Sequence, residues 1–220
     1  MPPKKIRKSH QSHPETLLVS KDQTILTRKY NQIKKVTGAS IIQDFEPLLQ
    51  PPDGVTVSDW LIINVMEFLD KTDKLYQCCS LFCTTETCPL FNAGPHYNFF
   101  WEDESIQDPV QLSAPEYLLQ LTKWARRNLA NTALFPRKDG LELSADAYDV
   151  LRAIYRRTIR IYAHLYVCHF SSIKENGIEP VINTVFGHYS QLALRYQMID
   201  EEDIEMLMPV FNAMHISSTP

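Results

Sequence analysis

The chain has 220 residues, of which 44% are hydrophobic and 22% charged, with a formal net charge of −4. That is enough for one domain with a sizeable core plus a tail, and the composition is ordinary for a globular protein. No apolar run approaches the ~18 residues of a membrane span, which excludes a membrane-spanning helix. The N-terminal residues lack an apolar signal core, so secretion is not expected. The five cysteines are therefore expected as thiols or metal ligands more than as disulfides.

The charge is unevenly spread. Residues 1–40 hold nine Lys/Arg and two Asp/Glu, a balance of +7, and the remaining 180 residues carry −11. An acidic body argues against a general affinity for nucleic acid and suits a basic protein partner. Residues 1–40 show no sustained period and read as a flexible basic arm. Residues 41–215 read as a single helical domain. Pro2-Pro3-Lys4-Lys5-Ile6-Arg7-Lys8 is a short basic cluster of the nuclear-import type, so the expected location is the cytoplasm with access to the nucleus.

Pro51-Pro52-Asp53-Gly54 is a turn. Thr56 or Ser58 can cap the helix behind it, where Trp60, Leu61, Ile63, Met66, Phe68 and Leu75 recur at helical spacing to about Cys79. Residues 80–112 break that period. Gly94-Pro95 marks a turn, and the alternation of Tyr97, Phe99 and Trp101, resumed at Val110 and Leu112, predicts a short β-hairpin. Ser113-Ala114-Pro115-Glu116 is a capping box ahead of Tyr117, Leu118, Leu121, Trp124 and Leu129. Ser144 can cap a long helix from Ala145 to about Phe170. Asn176-Gly177 and Pro180 end that stretch. Two further helices are expected over 181–197 and 200–213, the last capped by Asp200 and open to a kink at Pro209. The fold class is mainly α: an antiparallel helical bundle with one short hairpin on its flank.

Cys83-x4-Cys88 lies just beyond the first long helix, and His164-x4-His169 near the end of the fourth element. Two thiolates and two imidazoles complete a tetrahedral structural Zn(II) shell. The 75 residues between the pairs exclude an ordinary zinc finger, which needs about 12. On spacing alone, core thiols and a satisfied core histidine explain the four residues more simply. Geometry also leaves the fourth ligand open. Residues i and i+5 differ by about 140° on a regular helix, so Cys168, at i+4 from His164, competes with His169. Cys78 and Cys79 read as core or helix-face thiols.

The long helix also carries Arg152, Arg156, Arg157 and Arg160. Positions 156 and 160, and 157 and 160, are helical neighbours, so three guanidiniums can converge on one patch. A planar fork bonds phosphate oxygens in pairs. Without further information, a solvated helix face explains the patch better.

Several segments resemble the Mob family in order and spacing: Phe82-Cys83-Thr84-Thr85-Glu86-Thr87-Cys88-Pro89, Ala93-Gly94-Pro95, Ser113-Ala114-Pro115-Glu116-Tyr117, Leu134-Phe135-Pro136 and Ile161-Tyr162-Ala163-His164-Leu165-Tyr166, with Pro52-Asp53-Gly54 and Asp59-Trp60 before them. The resemblance spans roughly residues 50–212. It implies a helical core with a hairpin, and structural zinc held by Cys83, Cys88, His164 and His169, which decides against Cys168 by analogy. It implies no enzyme but a co-activator of NDR/LATS-type kinases, and phosphopeptides of upstream Hippo-type kinases bound at Arg156, Arg157 and Arg160, with Arg152 peripheral. It also implies that Asp59 and Glu67 meet a basic segment N-terminal to the kinase domain, while Val55 stands where an acid is usual. The N-terminal arm does not match the family segment that carries regulatory phosphorylation sites, so no such site is transferred.

The second reading is a Mob-like scaffold in a phosphatase–kinase assembly. Ser113-Ala114-Pro115 and Leu134-Phe135-Pro136 look more like the kinase-activating branches than the phosphatase-associated, phocein-type branch. A metallohydrolase is the third. It lacks His-Glu-x-x-His, and a closed Cys2His2 shell leaves no position for water.

Overall fold

The computed structural model describes residues 42, 44–106, 108–136, 140 and 142–216. The arm expected over 1–40, with its basic cluster, lies outside the described residues. The helical class is as expected, and among the described residues no sheet forms.

Helix α1 runs Val57–Cys79. Thr56, extended at ψ 159°, accepts from the Asp59 N–H and so satisfies one of the donors a helix start leaves free. Ser58, the other candidate cap, instead accepts from the Leu143 N–H. Leu61, Val65, Phe68, Leu69, Leu75 and Tyr76 form its buried stripe. Helix α2 runs Ala114–Leu129, and its capping box is complete: Ser113 accepts from the Glu116 N–H, and the Glu116 carboxylate accepts from the Ser113 N–H.

Helix α3, Ala145–Cys168, is capped by Ser144 and is the hub of the fold. It packs against α1, α2 and the helices that follow it. From Ile161 to Tyr166 every side chain is buried, as a helix surrounded on all sides requires. Buried hydroxyls join it to its neighbours. Thr72 of α1 and Tyr162 of α3 share a hydrogen bond of 2.8 Å, and Tyr166 donates to Asn183 at 2.8 Å. Trp101 and Trp124 meet edge to face at 6.3 Å beside it. Each such fully buried ring contributes about 1.5–3 kcal/mol of transfer free energy.

The chain continues through α4 (Phe170–Glu175), α5 (Glu179–Arg195), α6 (Glu201–Ile204), a 3-10 turn (Glu205–Leu207) and α7 (Met208–Ala213). The single helix expected over 200–213 is thus divided. Asp200 caps as predicted, but Pro209 lacks an N–H for a continuous ladder and instead sits in the first turn of a new helix. Residues 44–50 form a strap across α5. Phe45 packs so closely on Gly187 that a Cβ there would lie 2.9 Å from its ring. His188 donates to the Leu48 carbonyl and Tyr196 to that of Leu49, while Arg195 pairs with Glu46 at 2.7 Å.

The expected hairpin is reduced to two isolated antiparallel bridges, Asn92–Asn98 and Trp101–Val110. The alternation is present, since Phe99 and Trp101 are buried and Phe100 is exposed. The ladder fails because its partners change. Phe91 donates to Leu112 but accepts from Phe99, and Asp103 draws the N–H groups of Ser105 and Ile106 into a turn.

Candidate metal centre and arginine face

Cys83 sits one turn beyond α1, with its N–H still donating to the Cys79 carbonyl. The four residues between the cysteines close on themselves. The Thr84 N–H donates to Thr87 Oγ1, Thr87 donates to the Phe82 carbonyl, and the Cys88 N–H donates to the Thr84 carbonyl. The Cys88 carbonyl accepts from Ala114 at the start of α2, which fixes the second sulfur to another element.

His164 and His169 lie on either side of the helix end. Helix α3 stops at Cys168, and His169 leaves helical geometry at φ −123°, ψ 9° before α4 begins. That break removes the objection to an i, i+5 pair, because the 140° offset applies only to continuous helix. Cys83 Sγ lies 3.2 Å from His164 Nε2, Cys88 Sγ 3.1 Å from His169 Nε2, and the two Nε2 atoms 3.1 Å apart. All four ligand atoms fall within 4.8 Å of one another. Cys168 is exposed and its Sγ lies 3.5 Å from Asn92 Oδ1, outside this group. Cys79 is a core thiol and Cys78 an exposed one.

The donor chemistry fits a metal ion. His164 Nδ1 donates to the Asn92 carbonyl at 2.7 Å, which leaves a lone pair on Nε2, facing the sulfurs. Gly94, at φ 76°, makes the turn that follows Asn92. Burial pushes the Cys83 thiol up to about 12, and burial followed by the neighbouring His164 pushes His169 down to about 4. Protein alone therefore keeps the imidazoles neutral and the Cys83 thiol protonated. A divalent cation reverses the second preference by binding thiolate.

The arginines of α3 do not form one open patch. Arg156 Nε donates to Asp203 at 2.8 Å, and its Nη2 lies 3.6 Å from Asp200. Arg152 lies 3.9 Å from Asp200. Arg157 rests against Trp101 and Trp124, with its guanidinium carbon 4.5 and 4.2 Å from the ring centroids. Its Nη2 donates to the Glu102 carbonyl, and its Nη1 is buried without a hydrogen-bond partner. Burial lowers its pKa, and Arg160 is among the charges that lower it further. Arg160 donates to the Tyr117 hydroxyl and lies 5.5 Å over Phe99. The acidic residues of α1 are separated as well. Asp59 accepts from Thr56 and from the Gly140 N–H, whereas exposed Glu67 pairs with Lys71 at 2.6 Å. Val55 is half-buried in the preceding turn.

Sequence reasoning missed two features. One is the aromatic bracket of Arg157, and Trp101 and Trp124 were legible only as core residues. The other is a shallow groove lined by Leu48, Trp60, Glu67, Lys71, Val185 and His188. Its walls come from three separate stretches of chain, so no local pattern announces it.

Residues 39–207 match the model of the Mob1/phocein family. Among curated proteins, the chain is 32% identical over 164 residues to the maintenance of ploidy protein mob1 of Schizosaccharomyces pombe, covering 74% of this chain and 78% of that one. It is 30% identical over 187 residues to MOB kinase activator-like 1 homolog C of Dictyostelium discoideum, covering 84% and 85%. It is 31% identical over 165 residues to MOB kinase activator 3A of Pongo abelii, covering 74% and 76%. A family match over most of the folded body, joined to relatives that align along three quarters or more of their own length, leads to one conclusion: the chain belongs to the Mob1/phocein family.

Proposed function

We propose that the protein is a non-catalytic co-activator and adaptor of protein kinases. The observation that carries this reading is its alignment, along most of its length, with relatives named as kinase activators. In this reading the acidic side of α1, including Asp59 and Glu67, receives the basic N-terminal regulatory segment of an NDR/LATS-type kinase. Glu67 is exposed beside the groove and suits a contact residue. Asp59 is half-buried and already engaged, so it contributes through the position of the helix start as much as through its charge.

The phosphopeptide role rests on α3. Arg157 and Arg160 touch neutral groups, the Glu102 carbonyl and the Tyr117 hydroxyl, so their charge remains for a phosphoryl oxygen to pair with. The expected ligand is a phosphorylated segment of a Hippo-type kinase. Zinc is the metal that best suits two sulfurs and two imidazoles, and there Cys83, Cys88, His164 and His169 would fasten the end of α1 to the end of α3. The protein is expected to work in the cytoplasm and nucleus.

Pull-down with the N-terminal segment of an NDR-type kinase tests the main claim. Retention of that segment, weakened by Glu67→Lys, supports it. Failure to bind alongside a relative that does bind would sink it. Affinity purification that returned phosphatase subunits and no kinase would favour the scaffold reading instead.

A further inference from the structure

We infer that Arg156 is withheld from the phosphate-reading set by Asp203, so that in this chain a phosphoryl group is taken by Arg157 and Arg160 alone. This rests on the phosphopeptide reading above and narrows it.

The sequence Asp200-Glu201-Glu202-Asp203 begins α6 with a reciprocal capping box. Asp200 accepts from the Asp203 N–H, and Asp203 accepts from the Asp200 N–H at 3.1 Å. The box fixes the Asp203 carboxylate, whose side chain is only 7% exposed, in the path of Arg156. A guanidinium grips a phosphate through two parallel donors on one edge. On Arg156 the edge that carries Nε is spent on Asp203, and Nη2 faces Asp200. A phosphate that sought Arg156 would have to displace a buried carboxylate and then sit beside two negative charges, with Glu202 also acting on the same guanidinium.

The other two arginines are differently placed. The groups they touch are neutral: the Glu102 carbonyl, the Tyr117 hydroxyl and the faces of Trp101, Trp124 and Phe99; the Glu102 and Asp103 carboxylates act on Arg157 only through space, without the direct ion pair that Arg156 makes with Asp203. Neutral partners position a guanidinium without cancelling its charge. Asp203 is therefore a specificity-determining residue that acts through Arg156. It limits the patch to two cations and sets the affinity below what three arginines would give.

The test uses the full chain and a degenerate phosphothreonine peptide pool, with the unphosphorylated pool as control. Wild type should prefer the phosphorylated pool. Arg160→Ala should weaken that binding about tenfold or more, as loss of a charge-assisted pair does. Arg156→Gln should stay within about threefold of wild type, a difference too small for a lost direct ligand. Asp203→Asn frees Arg156 and should tighten binding several-fold, a gain that disappears when Arg156→Gln is added. Asp200→Asn, which leaves the buried carboxylate in place, should give a smaller gain in the same direction, and it serves where Asp203→Asn folds poorly. A merely structural Asp203 would not produce a gain that depends on Arg156. If Arg156→Gln loses as much binding as Arg160→Ala, the inference falls and the phosphopeptide reading stands. If neither wild type nor Asp203→Asn distinguishes the two pools, both fall.

Discussion

The two halves of α3 carry polar clusters of opposite kinds. At its C-terminal end, four ligand atoms within 4.8 Å face mainly one another. The protein supplies an outer shell there, the Asn92 carbonyl on His164 and the Tyr76 hydroxyl 3.0 Å from Cys83, but no counter-charge. Two turns earlier, Arg156 meets two carboxylates, and Arg157 is enclosed by indoles and a carbonyl. The first cluster brings four donor atoms close enough to hold one ion between them. The second is largely complete, and what it offers a ligand is the remainder left by its internal partners. Residue types and spacing look equally suggestive in both, and only the packing tells them apart.

The largest expected effect breaks the first cluster. Cys83→Ser or His164→Ala should remove the bound metal and cost about 4 kcal/mol or more, the range reached when a structural metal site is lost. For a chain of this size that lowers the melting temperature by roughly 8–16 °C. Thermal unfolding together with metal analysis of the purified variants reads both effects. Unchanged melting with undiminished metal content would show that the four residues are not a structural centre.

The second cluster should fail more gently and without touching the first. Trp124 is 7% exposed and supports both Trp101 and Arg157. Trp124→Ala should cost about 3 kcal/mol through lost burial and the cavity left behind, a drop of roughly 6–12 °C. Metal content should be unchanged. Metal loss in this variant would mean that the two ends of α3 form one cooperative unit, and the contrast between them would lose its meaning.

Much of this was legible before any coordinates. The capping box at Ser113 and the caps at Ser144 and Asp200 are local chemistry, and each acts as its sequence suggests; between Thr56 and Ser58, left open by the sequence, Thr56 takes the cap. Two features were not. The break at His169 has no proline or glycine to announce it, so spacing alone left Cys168 and His169 in contest. The hairpin was overread because alternation reports which side chains point inward but says nothing of whether a partner strand stays in register. Phe91 divides its backbone bonds between Leu112 and Phe99, a long-range choice invisible in the alternating residues. The arginines show the same limit. Their spacing was plain, but the carboxylate that occupies Arg156 lies 47 residues further along the chain.

Acidity offers a gentler probe, because guanidiniums keep their charge while histidines do not. His188, on α5 beneath the strap and away from both clusters, is packed between Phe45 and Phe68 and donates to Leu48. Lys71 and Glu67 are the charged groups that act on it. Burial holds its pKa below the ordinary 6.5. The unfolded chain therefore takes up the proton first, and the stability His188 provides, fully present above pH 6.5, is lost as pH falls through its folded value. His188→Gln keeps a donor for the Leu48 carbonyl but has no charge to gain, so its melting temperature should fall less steeply with acidification. Metal content at neutral pH should equal that of wild type. An identical pH slope in the two proteins would place the acid sensitivity elsewhere.

The smallest expected effect is also the sharpest test of which atoms make up the metal centre. Cys168 is the residue a regular helix would have paired with His164, and it differs from His169 by a single position. Its side chain is exposed, and its sulfur approaches Asn92 instead of the cluster. Cys168→Ala should therefore change stability by no more than about 0.5 kcal/mol, as an exposed substitution away from special features does, and leave one metal ion per chain. His169→Ala should lose the metal as Cys83→Ser does, because its Nε2 lies 3.1 Å from both Cys88 Sγ and His164 Nε2. The reverse pattern, metal retained without His169 and lost without Cys168, would require α3 to continue unbroken past Cys168. The break in the helix would then be the part of the structure to abandon first.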